Sequence, residues 1–173
     1  SLTLTSDALA DAVARRVDVK PGVGELWFRG LPLAKNVRRW DEEDGNLYTL
    51  TATLGGSTRT VRFGVRDFRA EGGVLTLNGR RIFLRSEANC AVFPEEGHPP
   101  MTVERWREVL AVYRSYGVNC MRFHSHIPPE AAFTAADEMG MLMQPELSHW
   151  NPETAFESPE SLAYYTGELR QAL

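Results

Sequence analysis

At Asn78-Gly79 the spacing of apolar residues along this 173-residue chain changes, and few architectures accommodate both patterns. Upstream the spacing is two. Leu50, Ala52 and Leu54 alternate with Thr49, Thr51 and Thr53, as in a strand with one wet face. The segments Glu25–Phe28, Leu47–Leu54 and Thr58–Phe63 are short and rich in β-branched and aromatic residues. Turn clusters at Pro21-Gly22, Asp41–Asn46 and Gly55-Gly56 separate them, so residues 1–70 read as part of an antiparallel β-sandwich. Residues 1–14 are alanine-rich and read as a poorly ordered lead-in. A hairpin of Val74–Leu77 and Arg81–Leu84 flanks Asn78-Gly79, the dipeptide that best tolerates the positive φ of a tight turn.

Downstream the spacing is helical. Val103, Trp106, Val109, Leu110 and Tyr113 fall on one face of a helix from Thr102 to Tyr116, with Thr102 as N-cap and Gly117 as stop. Val118–Phe123 reads as a buried strand. Pro128-Pro129-Glu130 opens a second helix, Ala131–Met139, ended by Gly140. Met141–Gln144 is a further apolar strand, and Ser158-Pro159-Glu160 starts a helix running towards Leu173. Alternating strands and helices at this spacing predict βαβ units and a parallel sheet over residues 71–173, with strands near Ile82, Val118 and Met141. A closed (β/α)8 barrel needs about 250 residues, so only its first three units fit.

Composition narrows the function classes. With 23 acidic and 19 basic residues, net charge −4, there is no basic stripe for nucleic acid. The apolar runs fall short of a membrane span. Ser1–Ala14 lacks the basic start and apolar stretch of a signal peptide. An export signal would lie upstream, which leaves a periplasmic or secreted location open. Cys90 and Cys120 alone make neither a disulfide framework nor a zinc ligand set, and read as two buried free thiols.

Five segments in order carry a resemblance. Trp40 followed by Asn46-Leu47-Tyr48, Phe63-Gly64-Val65-Arg66, Leu77-Asn78-Gly79-Arg80-Arg81-Ile82-Phe83-Leu84-Arg85, Asn119-Cys120-Met121-Arg122 and Ala136-Asp137-Glu138-Met139-Gly140 resemble glycoside hydrolase family 2. The resemblance implies the end of an immunoglobulin-like domain (residues 1–70) followed by the start of a TIM barrel (71–173). It implies a carbohydrate substrate and a retaining mechanism of the β-galactosidase/β-glucuronidase kind, with no cofactor and no metal assigned. It also implies that the rest of a parent polypeptide completes the barrel. In the family the two catalytic glutamates follow strands four and seven, the first after an Asn; no Asn-Glu pair occurs here, so no catalytic residue is assigned. The segments departing from the family pattern are Arg85-Ser86, Arg122–Pro128 and Pro145-Glu146.

Barrel chemistry sits at the C-terminal ends of the strands. This makes Arg122, His124 and His126 after the second strand candidates for substrate binding, with Glu146 and Trp150 after the third and Asn89 after the first. A guanidinium and imidazoles there can hydrogen-bond hydroxyls or keep a carboxylate ionised, and an indole can stack on a sugar face. Arg122 is expected on the strand face shared with Val118 and Cys120, away from the helices. Glu146 reads as a residue that orients the site rather than as the catalytic acid. Two other readings stay open: a carbohydrate-binding protein without catalysis, and a purely structural domain in which these residues are internally paired.

Overall fold

The computed structural model describes residues 1–150 and 156–172, which fall into two compact units, Ser1–Arg81 and Ile82–Leu173.

The first unit contains two antiparallel sheets. One has strands β1 (Leu2–Thr5), β2 (Val13–Arg15), β3 (Tyr48–Leu54) and β4 (Ser57–Phe63) in the order β2-β1-β3-β4. Its register explains its existence. Thr3 and Thr5 lie opposite Thr53 and Thr51, which lie opposite Thr58 and Thr60, while Leu2 and Leu4 lie opposite Leu54 and Ala52. Across β1 and β3 threonines thus gather on one face and apolar side chains on the other, the arrangement in which cross-strand pairs stabilise a sheet. The Oγ1 atoms of Thr53 and Thr58 are 3.2 Å apart.

Two expectations are overturned here. The chain start is not a disordered lead-in: β1 is an interior strand, because its Leu-Thr alternation matches that of β3 despite the alanines that follow. Glu25–Phe28 forms no strand, and Trp27 is exposed; β1 and β4, not this segment, take the two places beside β3.

The second sheet holds β5 (Phe68–Glu71), β6 (Val74–Leu77) and β7 (Arg80–Arg81). The β6–β7 turn is the Asn78-Gly79 hairpin, with φ of 54° and 81°. Asn78 does more than turn the chain. Its Nδ2 donates to the Trp40 carbonyl (2.9 Å) and its Oδ1 accepts the Asp67 N–H (3.0 Å). Trp40 is buried, its N–H donates to the Val65 carbonyl, and Arg66 lies over its ring. A Cβ on Gly64 would approach Trp40 Cβ at 2.8 Å, so only glycine fits beneath the indole.

The second unit carries the larger core. Strands β8 (Ser86–Asn89), β9 (Cys120–Phe123) and β10 (Leu142–Pro145) form a parallel sheet in the order β10-β9-β8. Helix α1 (Val103–Ser115) joins the first two and α2 (Glu130–Met139) the last two; α3 (Pro159–Ala172) follows. Thr102 caps α1 by accepting the Arg105 N–H, Gly117 follows α1 at φ 78°, and Gly140 ends α2 in the left-handed conformation. Trp106, Leu110, Met121, Phe123, Ala132, Ala135 and Ala136 are buried together. The three alanines give α2 a flat face, and Arg107 pairs with Glu138 at 2.6 Å across the two helices.

The first parallel strand differs from expectation. It is Ser86–Asn89 rather than the apolar stretch near Ile82, and the hairpin's second arm stops at Arg81. Ser86-Glu87-Ala88-Asn89 has little intrinsic strand preference. Its place is set by pairing with β9 (Ser86 beside Cys120, Asn89 beside Phe123) and by Asn119. The buried Asn119 accepts the Arg85 N–H (2.8 Å) and donates to the Phe83 carbonyl (3.1 Å), drawing residues 83–85 against the start of β9. Cys120 is buried as expected, but Cys90 is exposed, because it lies beyond the end of β8. No helix among the described residues is long and apolar enough to cross a membrane.

Candidate functional site

The candidate site is at the C-terminal ends of β8, β9 and β10. Side chains alternate along β9, and the buried cluster fixes which face is which. Met121 and Phe123 pack on Trp106 and the α2 alanines, so Cys120 and Arg122 occupy the opposite face. Gln144 of β10 and Ala88 of β8 lie beside Arg122 in register.

Arg122 Nε donates to Glu146 Oε1 at 2.6 Å. The other carboxylate oxygen accepts the backbone N–H of Ser125 at 2.8 Å, and the Glu146 N–H donates to the His126 carbonyl at 3.2 Å. One carboxylate therefore fastens the end of β9, the turn that follows it and the end of β10. Ser125 sits at φ 58°, a conformation that costs a non-glycine residue free energy and that the Glu146 bond helps to hold. The Ser125 N–H first, and Arg122 with it, lowers the Glu146 pKa below the usual carboxylate range. A carboxyl held ionised in this way is a poor proton donor, so Glu146 suits orienting and electrostatic work rather than acid catalysis.

His124 lies on the turn, its N–H donating to the Asn89 carbonyl of β8 at 2.9 Å. Its ring is 4.8 Å from that of Trp150, which is 79% exposed. An exposed indole beside an imidazole offers an apolar face with a polar group at its edge. His126 packs edge-on against Phe123 and has Nδ1 3.1 Å from the His124 carbonyl; its Nε2 is enclosed without a partner. His149 Nδ1 is 3.1 Å from the Tyr165 hydroxyl of α3.

Of the residues picked out from sequence, Arg122, His124, Glu146 and Trp150 come together, and His126 adjoins them from the Phe123 side. Asn89 stands apart. Its side chain is buried and accepts the Ala91 N–H at 2.9 Å, holding Ala91 at φ 56°; what it brings to the group is its carbonyl. Ser125 was missed, because its part depends on a left-handed backbone that no residue type announces. Glu87 is a second surprise. It shares the helix-facing side of β8, its carboxyl meets the Tyr113 hydroxyl, and burial raises its pKa. Among the described residues no three potential ligands gather in a way that would hold a metal ion.

No protein-family model matches the chain. Curated relatives do. A putative β-glucuronidase of Formosa agariphila is 30% identical over 135 residues, covering 75% of this chain and 16% of its own length. A β-galactosidase of Bifidobacterium adolescentis is 28% identical over 114 residues, covering 62% of this chain and 11% of its own. Among solved structures, a family 2 β-galacturonidase from Eisenbergiella tayi superposes with a TM-score of 0.67 at 25% identity, covering 82% of this chain and 25% of that one. The chain thus spans between a tenth and a sixth of the length of these curated relatives. Mixed α/β architecture, ordered sequence motifs and relatives of one enzymatic kind agree: the chain belongs to glycoside hydrolase family 2.

Proposed function

We propose that this chain is part of a retaining β-glycosidase of the β-galactosidase/β-glucuronidase kind and forms one side of its substrate-binding mouth. In this reading residues 1–70 are the end of an immunoglobulin-like domain, and residues 71–173 begin a TIM barrel whose remaining strands supply the catalytic pair. A glutamate from those strands attacks the anomeric carbon; a second protonates the leaving oxygen and then activates water. Arg122, fixed by Glu146, lines the barrel mouth, His124 and Trp150 contact the sugar, and His126 and Asn89 shape the turns beneath them.

The observation that carries the reading is the Arg122–Glu146–Ser125 clamp at the C-terminal ends of parallel strands, with His124 and an exposed Trp150 beside it. In a polypeptide extending through the later barrel strands, Arg122→Ala should lower kcat/KM for an aryl β-glycoside about a hundredfold, roughly 3 kcal/mol of transition-state stabilisation. Thermal stability should fall much less. The 173-residue chain alone should hydrolyse none. Unfolding of the variant with normal kinetics in its folded fraction would make Arg122 structural. Sugar binding without turnover in the longer polypeptide would point instead to a non-catalytic carbohydrate-binding protein.

A further inference from the structure

The turn after β9 gives His124 Nδ1 a hydroxyl as its neighbour, and that hydroxyl has a second partner in reach. The Ser125 hydroxyl is 3.4 Å from the His149 carbonyl and 3.2 Å from His124 Nδ1. A hydroxyl has one proton to give, and a carbonyl can only accept. With that proton on the His149 carbonyl, Ser125 Oγ has only lone pairs for His124, so Nδ1 must carry the hydrogen. The neighbouring rings obey the same rule. His126 Nδ1 faces the His124 carbonyl and must donate to it. The Tyr165 hydroxyl donates to the Ser148 carbonyl (3.2 Å) and so accepts from His149 Nδ1.

The rings differ at their far nitrogens. His126 Nε2 is enclosed, whereas the His124 ring is half-buried and its Nε2 makes no hydrogen bond among the described residues. We propose that Ser125 is a positioning residue that holds His124 as its Nδ1–H tautomer, so that His124 offers Nε2 beside Trp150 as a hydrogen-bond acceptor. Such an atom accepts a hydrogen bond from a hydroxyl and repels a carboxylate or carbonyl oxygen. The matching ligand chemistry is the hydroxyl-bearing edge of a sugar rather than an acidic group, a statement of ligand that rests on the glycosidase reading above.

The test is the tautomer itself, which does not require sugar or turnover. Long-range proton–nitrogen correlation spectra of the imidazole rings would be recorded on the whole chain at about pH 8.5, where an ordinary imidazole is neutral. The His124 signals are identified by their loss in His124→Gln. Wild type should show a protonated Nδ1 and an unprotonated Nε2 for His124. Ser125→Gly removes the hydroxyl while accommodating φ 58° and keeping the N–H bonded to Glu146. In that variant the ratio of His124 tautomers should move several-fold towards Nε2–H, with the His126 pattern unchanged as the sign of an intact turn. A protonated Nε2 in wild type, or an unchanged ratio in Ser125→Gly, overturns the proposal; if the His126 pattern is also lost, Ser125→Ala is measured against the same two outcomes. Absence of glycosidase activity in the longer polypeptide would remove the sugar and leave the tautomer assignment standing.

Discussion

The two units reach order by different routes. In Ser1–Arg81 the apolar residues buried among those described are Leu4, Ala8, Trp40 and Leu77; in Ile82–Leu173 they are eleven, including Trp106, Leu110, Met121 and Phe123. The first unit is organised by ladders and by one polar knot at Asn78 and Trp40, with β4 almost wholly exposed. The second is organised by a core that locks sheet to helix. The contrast teaches where substitutions should matter. A ladder distributes its stability over many weak pairs, whereas a core concentrates it in a few side chains.

Trp106→Ala should show the largest effect. The indole is fully buried, donates to the Pro100 carbonyl at 2.6 Å and meets Phe93 and Phe123 edge-on. A loss of about 3–5 kcal/mol is expected, read from amide exchange in β8–β10 under native conditions. A loss below 1 kcal/mol would break the distinction between the units. Gly64→Ala tests a tightly packed point of the first unit. The added Cβ meets Trp40, and exchange in β3 and β4 should report a loss of about 1–3 kcal/mol.

Acid titration sharpens the contrast inside the second unit, because two of its glutamates are shifted in opposite directions. Glu146 has a folded pKa below the ordinary value, so its stabilising share is present above about pH 4.3 and is lost as pH falls through the folded pKa. Glu87, raised by burial, is the reverse. Its share is present below about pH 4.3 and is lost as pH rises through the folded pKa. Urea midpoints measured across the acid range should therefore lose part of their acid-side fall in Glu146→Gln. In Glu87→Gln they should rise at neutral pH. The same slope in both variants would contradict the assigned surroundings. The smallest effect is expected for Val61→Ser on the exposed edge strand β4, within about 0.5 kcal/mol by urea denaturation.

Much of the helical part was legible because capping and period are local. Thr102, Gly117 and Gly140 stop and start their helices where residue chemistry says they should, and Trp106 and Leu110 face inward as their spacing predicts. Arg122 also fell on the expected side of β9, since alternation along a strand is a property of the backbone alone. The misses share a cause. Leu2–Thr5 and Ser86–Asn89 are strands because β3 and β9 offer them matching partners; the first has a period-two pattern only four residues long, and the second has little strand preference of its own. Glu25–Phe28 has the composition of a strand and lacks the partner.

The candidate site divides in the same way. Which residue types stand after which strand follows from the order of motifs, so Arg122, His124, Glu146 and Trp150 are identifiable from the sequence. That Glu146 spends its two oxygens on Arg122 and the Ser125 N–H, that Asn89 turns its side chain into its own loop, and that Ser125 adopts φ 58° depended on three chain segments meeting. Sequence alone determined the periods, the caps and the chemistry available at each strand end, because these depend on neighbours along the chain. Tertiary structure decided the partners, since hydrogen bonds and ion pairs are satisfied by whatever lies closest in space, and proximity across segments is not written in any one of them.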